Sequence, residues 1–319
     1  MKVLVTGCAG LIGSHLVDDL LASGNQVVGV DNLSYGNLDN LHIALKSKYF
    51  TFLIIDVKNI CFELSNKEFD VIYHLATIKK PHGDIVRSTY VIDENYIMIR
   101  EVVKFSILTK SFLIFTSTSD VYGNSQNFLE SEKITIGPPT NERYSYALSK
   151  LLGEQTIFNE IKQQGLKASV VRIFGCASER SNQSWSGGHV PLFIANAINN
   201  IEITIHGDGL QTRSISSARD ISRGLKSMID NLVNVNNQII NLGTNQQTTV
   251  KEVAEYIVQK TNSNSKIKFI GKDVLFSDYD EILKRFANVD KAEKLLDFKI
   301  EINTFDLIDN MIDVILNKD

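Results

Sequence analysis

Tyr146 and Lys150 stand four residues apart in Tyr146-Ala147-Leu148-Ser149-Lys150, within a stretch of helical character from about Ser145 to Gln164. At that spacing the two side chains share one helix face. A phenol ionises near ~10 and is a poor base at neutral pH. A neighbouring ammonium favours its phenolate. The pair could then take a proton from a hydroxyl, provided that the hydride on the same carbon has an acceptor. A tyrosine and a lysine also share helix faces without any chemistry, so the acceptor has to be found elsewhere in the chain.

It is found at the start. Thr6-Gly7-Cys8-Ala9-Gly10-Leu11-Ile12-Gly13 follows the apolar run Val3-Leu4-Val5 and leads into a helical pattern through Leu16, Val17, Leu20 and Leu21. Glycines allow a tight turn and close approach of backbone to a pyrophosphate, which the helix N-terminus then receives. Gly7, Gly10, Leu11, Ile12 and Gly13 are therefore expected at a dinucleotide. Asp31 follows 18 residues after Gly13, at the end of a second apolar run, Val27 to Val30. Its carboxylate can accept from both ribose hydroxyls of NAD and would repel the 2′-phosphate of NADP. Asn32 to Asn37 contains no Arg or Lys to offset that repulsion. Asp56, with Val57 beside it, ends a third run, Phe52 to Ile55, and is expected at the adenine.

The elements that must hold these residues alternate. Further apolar runs at Val71-Ile72-Tyr73, Phe112 to Phe115 and Ser169 to Ile173 read as strands buried on both faces. Helical spacing separates them, at Val91, Asn95, Met98, Val102 and Phe105 and again at Ser145 to Gln164. This predicts an α/β fold with a doubly wound parallel sheet, the Rossmann arrangement. Residues 1–174 are expected to form the dinucleotide-binding domain. Residues 175–319 should form a smaller α/β lobe for the substrate, with some segments returning to the large sheet. Expected lobe elements are helices near Pro191 to Asn199, after Asp220, at Val250 to Lys260 and at Thr304 to Leu316, with strands at Ile201 to Ile205 and Gln238 to Leu242. The polar stretch Ser178 to Gly188 is expected to be a mobile loop.

Thr118 follows the fifth strand, at the carboxyl edge where open α/β sheets bind ligands. Its hydroxyl would bond to the oxygen that Tyr146 deprotonates, and Ser117 would support it near the cofactor. Asp120, two residues on, is either a proton-transfer group or a partner of local backbone.

Composition excludes several classes. The chain has 319 residues, 43% of them hydrophobic and 22% charged, as in an ordinary globular protein. With 33 basic and 37 acidic residues there is no basic block for nucleic acid. Three widely spaced cysteines suggest reduced thiols, and no ligand pattern indicates a metal. No run is long enough to span a membrane and no signal peptide is visible, so a cytoplasmic protein is expected.

The GxxGxxG turn preceded by Thr resembles that of the extended short-chain dehydrogenase/reductase family, the nucleotide-sugar epimerases and dehydratases. So do Asp31-Asn32-Leu33-Ser34, His74-Leu75-Ala76, Ser117-Thr118-Ser119-Asp120-Val121-Tyr122-Gly123, Tyr146 to Lys150 and Gly207-Asp208-Gly209-Leu210-Gln211-Thr212-Arg213. The resemblance runs through nearly the whole chain. It implies NAD as cofactor, a nucleotide-diphosphate sugar as substrate and a homodimer. It puts Leu75 and Ala76 at the cofactor, Lys150 on the nicotinamide ribose, and Arg213 and Arg285 on the substrate diphosphate. The family reactions pass through a 4-keto sugar. Epimerisation at C4 is the leading expectation, with 4,6-dehydration and uronic-acid decarboxylation as alternatives. Dehydratases and decarboxylases place Glu where this chain has Asp120, one methylene shorter. A sensor that binds dinucleotide without turnover is the alternative of another class; it would not need the Thr118, Tyr146 and Lys150 set. Gly175-Cys176 departs from the family's Asn at Gly175, which often touches the diphosphate. Lys79 and Lys80 reach either substrate or solvent. Trp185 and His189 are expected in packing roles.

Overall fold

The computed structural model describes residues 1–79, 88–125, 127–183, 188–271 and 283–317, without the side chain of Arg143. Lys80 and Trp185 lie outside the described residues. The first half comprises β1 (Lys2–Thr6), α1 (Leu11–Ala22), β2 (Gln26–Asp31), β3 (Phe50–Ile54), α2 (Ile60–Glu63), β4 (Val71–His74), α3 (Ser88–Thr109), β5 (Phe112–Thr118), α4 (Ser145–Gln164) and β6 (Ala168–Ile173). There follow β7 (Cys176–Ala177), α5 (His189–Ile198), β8 (Ile203–His206), β9 (Thr212–Arg213), β10 (Ser216–Ser217), α6 (Ala218–Ile229), α7 (Leu232–Val235) and β11 (Ile239–Leu242). The chain ends with β12 (Thr248–Thr249), α8 (Val250–Lys260), β13 (Ile267–Ile270), β14 (Lys284–Arg285), α9 (Asp290–Leu296) and α10 (Thr304–Leu316).

The central sheet is all-parallel, in the order β11-β6-β5-β4-β1-β2-β3. The continuous apolar strands explain this. All four residues of β4 and all seven of β5 are buried, because helices cover both faces. One apolar layer joins α1 to α6 through Leu16, Leu20, Ile221 and Leu225; the other packs Ile99, Val102 and Ile157 of α3 and α4 against Leu113 and Phe115. The chain moves outward from β1 to β3, then returns to place β4 on the other side of β1. Ligands bind at the carboxyl ends of strands where the winding reverses in this way. The glycine turn lies there: Gly7 N–H donates to Val30 C=O at 2.8 Å, and a Cβ on Gly7 would stand 2.7 Å from the Ala76 nitrogen.

The last strand of this sheet comes from beyond residue 174, since β11 pairs with β6. A second core, with Phe193, Ile194, Val253, Ile257, Ile308 and Met311, joins α5, α8 and α10 to the β8–β13 pair. The two-residue ladders β12-β9-β14 connect it to the cleft. Of the polar stretch Ser178 to Gly188, Ser178 and Arg180 are held against α1, and residues 184–187 lie outside the described residues. Arg180 pairs with Asp18 at 2.6 Å, and His15 Nε2 lies 3.0 Å from Ser178 Oγ.

His74 is buried at the end of β4, its Nδ1 2.8 Å from Thr6 Oγ1. Burial and Lys150 push it down to about 3, and His15 is also pushed down to about 3, chiefly by burial. Both rings are neutral in the fold, whereas an unfolded histidine takes up a proton below ~6.5. Stability should therefore fall as pH drops from 6.5 towards 3. Melting temperatures across that range should show the loss, and His74→Asn should flatten it.

Candidate active site

Every residue assigned from sequence to the cofactor, the substrate or the chemistry lines one cleft of about 1880 Å³. Pockets for single ligands run to roughly 1,000 Å³, so the cleft has room for a dinucleotide and a nucleotide-linked substrate together.

The cofactor end fits NAD by its own geometry. A Cβ on Gly13 would stand 2.1 Å from the Gly7 carbonyl oxygen, so the first turn of α1 closes only on glycine. Gly10 caps α1 without a side-chain bond. The free N–H groups of that first turn can receive a pyrophosphate. Asp31 is 8% exposed; it accepts from Ala9 N–H at 3.0 Å and Leu33 N–H at 2.8 Å. Burial pushes its acid up, and these two donors pull it back. A Cβ on Gly36 would stand 2.9 Å from both Asp31 oxygens, so glycine keeps the space beside the carboxylate open. Asn32 turns away to accept from Ser34 N–H. Asp56 caps the next turn by accepting from Lys58 N–H, and Val57 beside it is buried. Lys58, a cation at this end that the sequence argument did not weigh, is engaged by Glu94 at 2.7 Å and Asp56 at 3.6 Å.

The reactive end is built by α4 lying across β5. Lys150 is 1% exposed and donates to Thr116 C=O at 2.9 Å. Burial pulls it down to about 7, and Glu154 acts in the opposite direction. Tyr146 departs from the phenolate expected of it. Burial, then the Asp120 charge, hold the phenol above its ordinary value, although a bond to Thr77 lowers it. Lys150 spends one donor on Thr116, and its ammonium lies 5.9 Å over the Tyr146 ring, so it and the positive nicotinamide ring of bound NAD would together favour phenolate. Thr118 ends β5 and accepts from Asp120 N–H at 3.2 Å, which points its hydroxyl region into the cleft beside Tyr146.

Asp120 forms an ion pair with Arg285. The two residues are 165 positions apart, and only the fold reveals the contact. Arg285 also pairs in register with Arg213 across β14 and β9, so the two arginines lie side by side at the cleft. Arg213 donates to Thr212 C=O at 2.8 Å. His189 packs edge-on to Phe193, and burial with the Arg213 charge pushes it down to about 4. Lys79 lines the cleft; burial pushes the Cys176 thiol up to about 11, and the Lys79 charge opposes that rise.

Sequence reasoning missed a buried network behind this end. Glu154, one turn beyond Lys150, accepts from Arg172 Nε at 3.0 Å, from its terminal nitrogen at 2.7 Å and from Ser117 Oγ at 2.5 Å. The Arg172 guanidinium sits 4.7 Å over the Tyr122 ring, and Tyr122 donates to Asn241 of β11 at 2.8 Å. A charged residue inside the apolar run Ser169 to Ile173 was the available signal.

Two outcomes check these assignments. Asp31→Ala should weaken NAD binding by ~10²-fold or more, the worth of two charge-assisted bonds, and reduce the preference over NADP in direct titrations. Tyr146→Phe should lower turnover by ~10²-fold or more while NAD binding and melting temperature stay close to native.

The family model described as NAD dependent epimerase/dehydratase matches residues 3–243. The chain is 33% identical to a UDP-N-acetyl-alpha-D-glucosaminuronate decarboxylase of Bacillus cytotoxicus, over 93% of this chain and 92% of that one. It is 29% identical to UDP-glucuronic acid decarboxylase 1 of Xenopus tropicalis, over 92% of this chain and 67% of the relative. Its fold is that of a UDP-glucuronic acid 4-epimerase from Bacillus cereus, with a TM-score of 0.85 at 24% identity, covering 100% and 99% of the two chains. With a glycine cradle, a buried carboxylate at Asp31 and a Tyr–Lys pair in one cleft, the chain belongs to the NAD dependent epimerase/dehydratase family and is an NAD-using enzyme.

Proposed function

We propose that the enzyme acts on a nucleotide-linked uronic acid and releases carbon dioxide from it after oxidation at C4. The observation that carries this reading is Arg285, a cation bonded to Asp120 two residues beyond Thr118. The resemblance puts Arg285 on the diphosphate; its bond to Asp120, beside Thr118, favours a sugar carboxylate instead, since a neutral sugar offers a guanidinium no anion there. The pair also engages Asp120, the carboxylate that 4,6-dehydration would use as a proton-transfer group. The decarboxylase relatives support the same reading.

When bound, NAD takes the hydride from C4 and returns it later in the cycle. Tyr146 removes the C4 hydroxyl proton, and Thr118 holds that oxygen. The oxidised sugar is a β-keto acid. As its C5–C6 bond breaks, the electron pair passes into the C4 oxygen, which Tyr146 and Thr118 face. Arg285 holds the departing carboxylate, and a proton taken up at C5 completes the balance. Arg213 and the cleft's lobe side bind the diphosphate. Glycine at position 175 adds no polar contact there.

Epimerisation at C4 is the second reading, favoured by the same Thr118, Tyr146 and Lys150 set, which serves any 4-keto cycle. Purified protein should be incubated with UDP-glucuronate and with UDP-N-acetylglucosaminuronate, and the products weighed by mass spectrometry. Loss of carbon dioxide is expected. An isomer of unchanged mass would replace this reading with uronate epimerisation. Arg285→Leu should lower turnover by ~10²-fold or more, as loss of a buried charged contact to the reacting group does, with NAD binding retained.

A further inference from the structure

Tyr146, Lys150 and Glu154 follow one another at four-residue intervals along α4, so all three face the sheet. The first two meet the cleft. Glu154 does not line it and is 3% exposed. Its carboxylate is nevertheless fully engaged, by Ser117 of β5 and by two nitrogens of Arg172 on β6. Ser117 lies between Thr116, whose carbonyl takes the Lys150 ammonium, and Thr118, which lines the cleft. Two consecutive residues at the end of β5, Thr116 and Ser117, are therefore bonded from two consecutive turns of α4, and Thr118 is the next residue along the strand.

We propose that Glu154 is a positioning residue of the reaction: clamped by Arg172 and Ser117, it supplies the fixed negative counter-charge to the Lys150 ammonium and locks Thr118 against the Tyr146–Lys150 face. The inference rests on the roles given above to Tyr146, Lys150 and Thr118.

The surroundings leave Glu154 in that position. On β4, His74 stays neutral. From α3, Asn95 meets Ser149 with its amide, and Glu94 is engaged by Lys58. Tyr146, on the same helix, is held protonated. Asp120 is bonded to Arg285, Cys176 is held as the thiol with Lys79 beside it, and Arg172 is spent on Glu154. Lys150 has been pulled down to about 7 by burial, with Glu154 opposing that loss. Neutralising Glu154 would remove the opposing charge and leave the Arg172 cation uncompensated. Both changes make the ammonium harder to keep.

The test uses NAD-loaded protein labelled with carbon-13 at the lysine ε-position, read by NMR across pH. Lys150→Met identifies the resonance, which should titrate far below the surface lysines. In Glu154→Gln its midpoint should move down by a pH unit or more, and the alkaline limb of kcat should move down with it. In Arg172→Gln, which leaves the carboxylate without its cation, the midpoint should move up. Opposite shifts from the two variants are not what a loss of packing would produce. A midpoint that stays in place or rises in Glu154→Gln overturns the inference. If that variant does not fold, a midpoint unmoved or lowered in Arg172→Gln overturns it equally. Near-native turnover of Lys150→Met would instead remove the role given to Lys150, whatever the titration shows.

Discussion

Lys150 crosses from α4 to donate to the Thr116 carbonyl, and one turn further Glu154 crosses the same gap to meet Ser117 and Arg172. These contacts replace apolar packing at the one point where helix and strand must also hold chemistry. Removing one partner of a buried ion pair costs about 3–5 kcal/mol, because the other charge remains stranded. A pair of that kind is a poor way to gain stability and a good way to fix a register. Here the register fixed is that of the end of β5 against α4. The network continues through Tyr122 to Asn241, whose amide donates to Asn288 C=O at 3.1 Å, three residues from Arg285. The strand that ends in Thr118 and the segment that delivers Arg285 are thus joined behind the cleft.

The cleft itself divides by charge. Its cofactor end is built from glycines, backbone N–H groups and one carboxylate. Its other end carries Arg213 and Arg285 from the adjacent strands β9 and β14. In the same cleft Tyr146 and Lys150 sit with acidities shifted in opposite directions, the phenol raised and the ammonium lowered. Perturbed groups of this kind gather where protons are transferred.

Much of this was legible in the sequence, for physical reasons. Strands buried on both faces cannot hide their apolar runs, so β1, β4, β5 and β6 could be read directly. The glycine turn was legible because Gly7 and Gly13 occupy positions where a Cβ collides with backbone. The two-residue strands β7, β9, β10, β12 and β14 were not, since a ladder of that length has no period to detect. Arg285 could be picked out as an arginine of interest, but its partner could not: nothing local to either residue links it to Asp120. Glu154 escaped for a different reason. It lay in plain view at the next helical interval after Lys150, and a glutamate on a helix reads as solvated unless an arginine is known to wait in the strand beneath it.

The central claim is that a 4-oxidised uronic acid loses its carboxyl carbon within this cleft, and isotopic labelling addresses it most directly. UDP-glucuronate deuterated at C4 would be turned over, and in a parallel sample unlabelled substrate would be turned over in heavy water. The account predicts a product that has lost its carboxyl carbon, keeps the C4 deuterium because the hydride returns where it came from, and gains one solvent deuterium at C5. A product that keeps its carboxylate, with the C4 label intact and no solvent deuterium at C5, would contradict it.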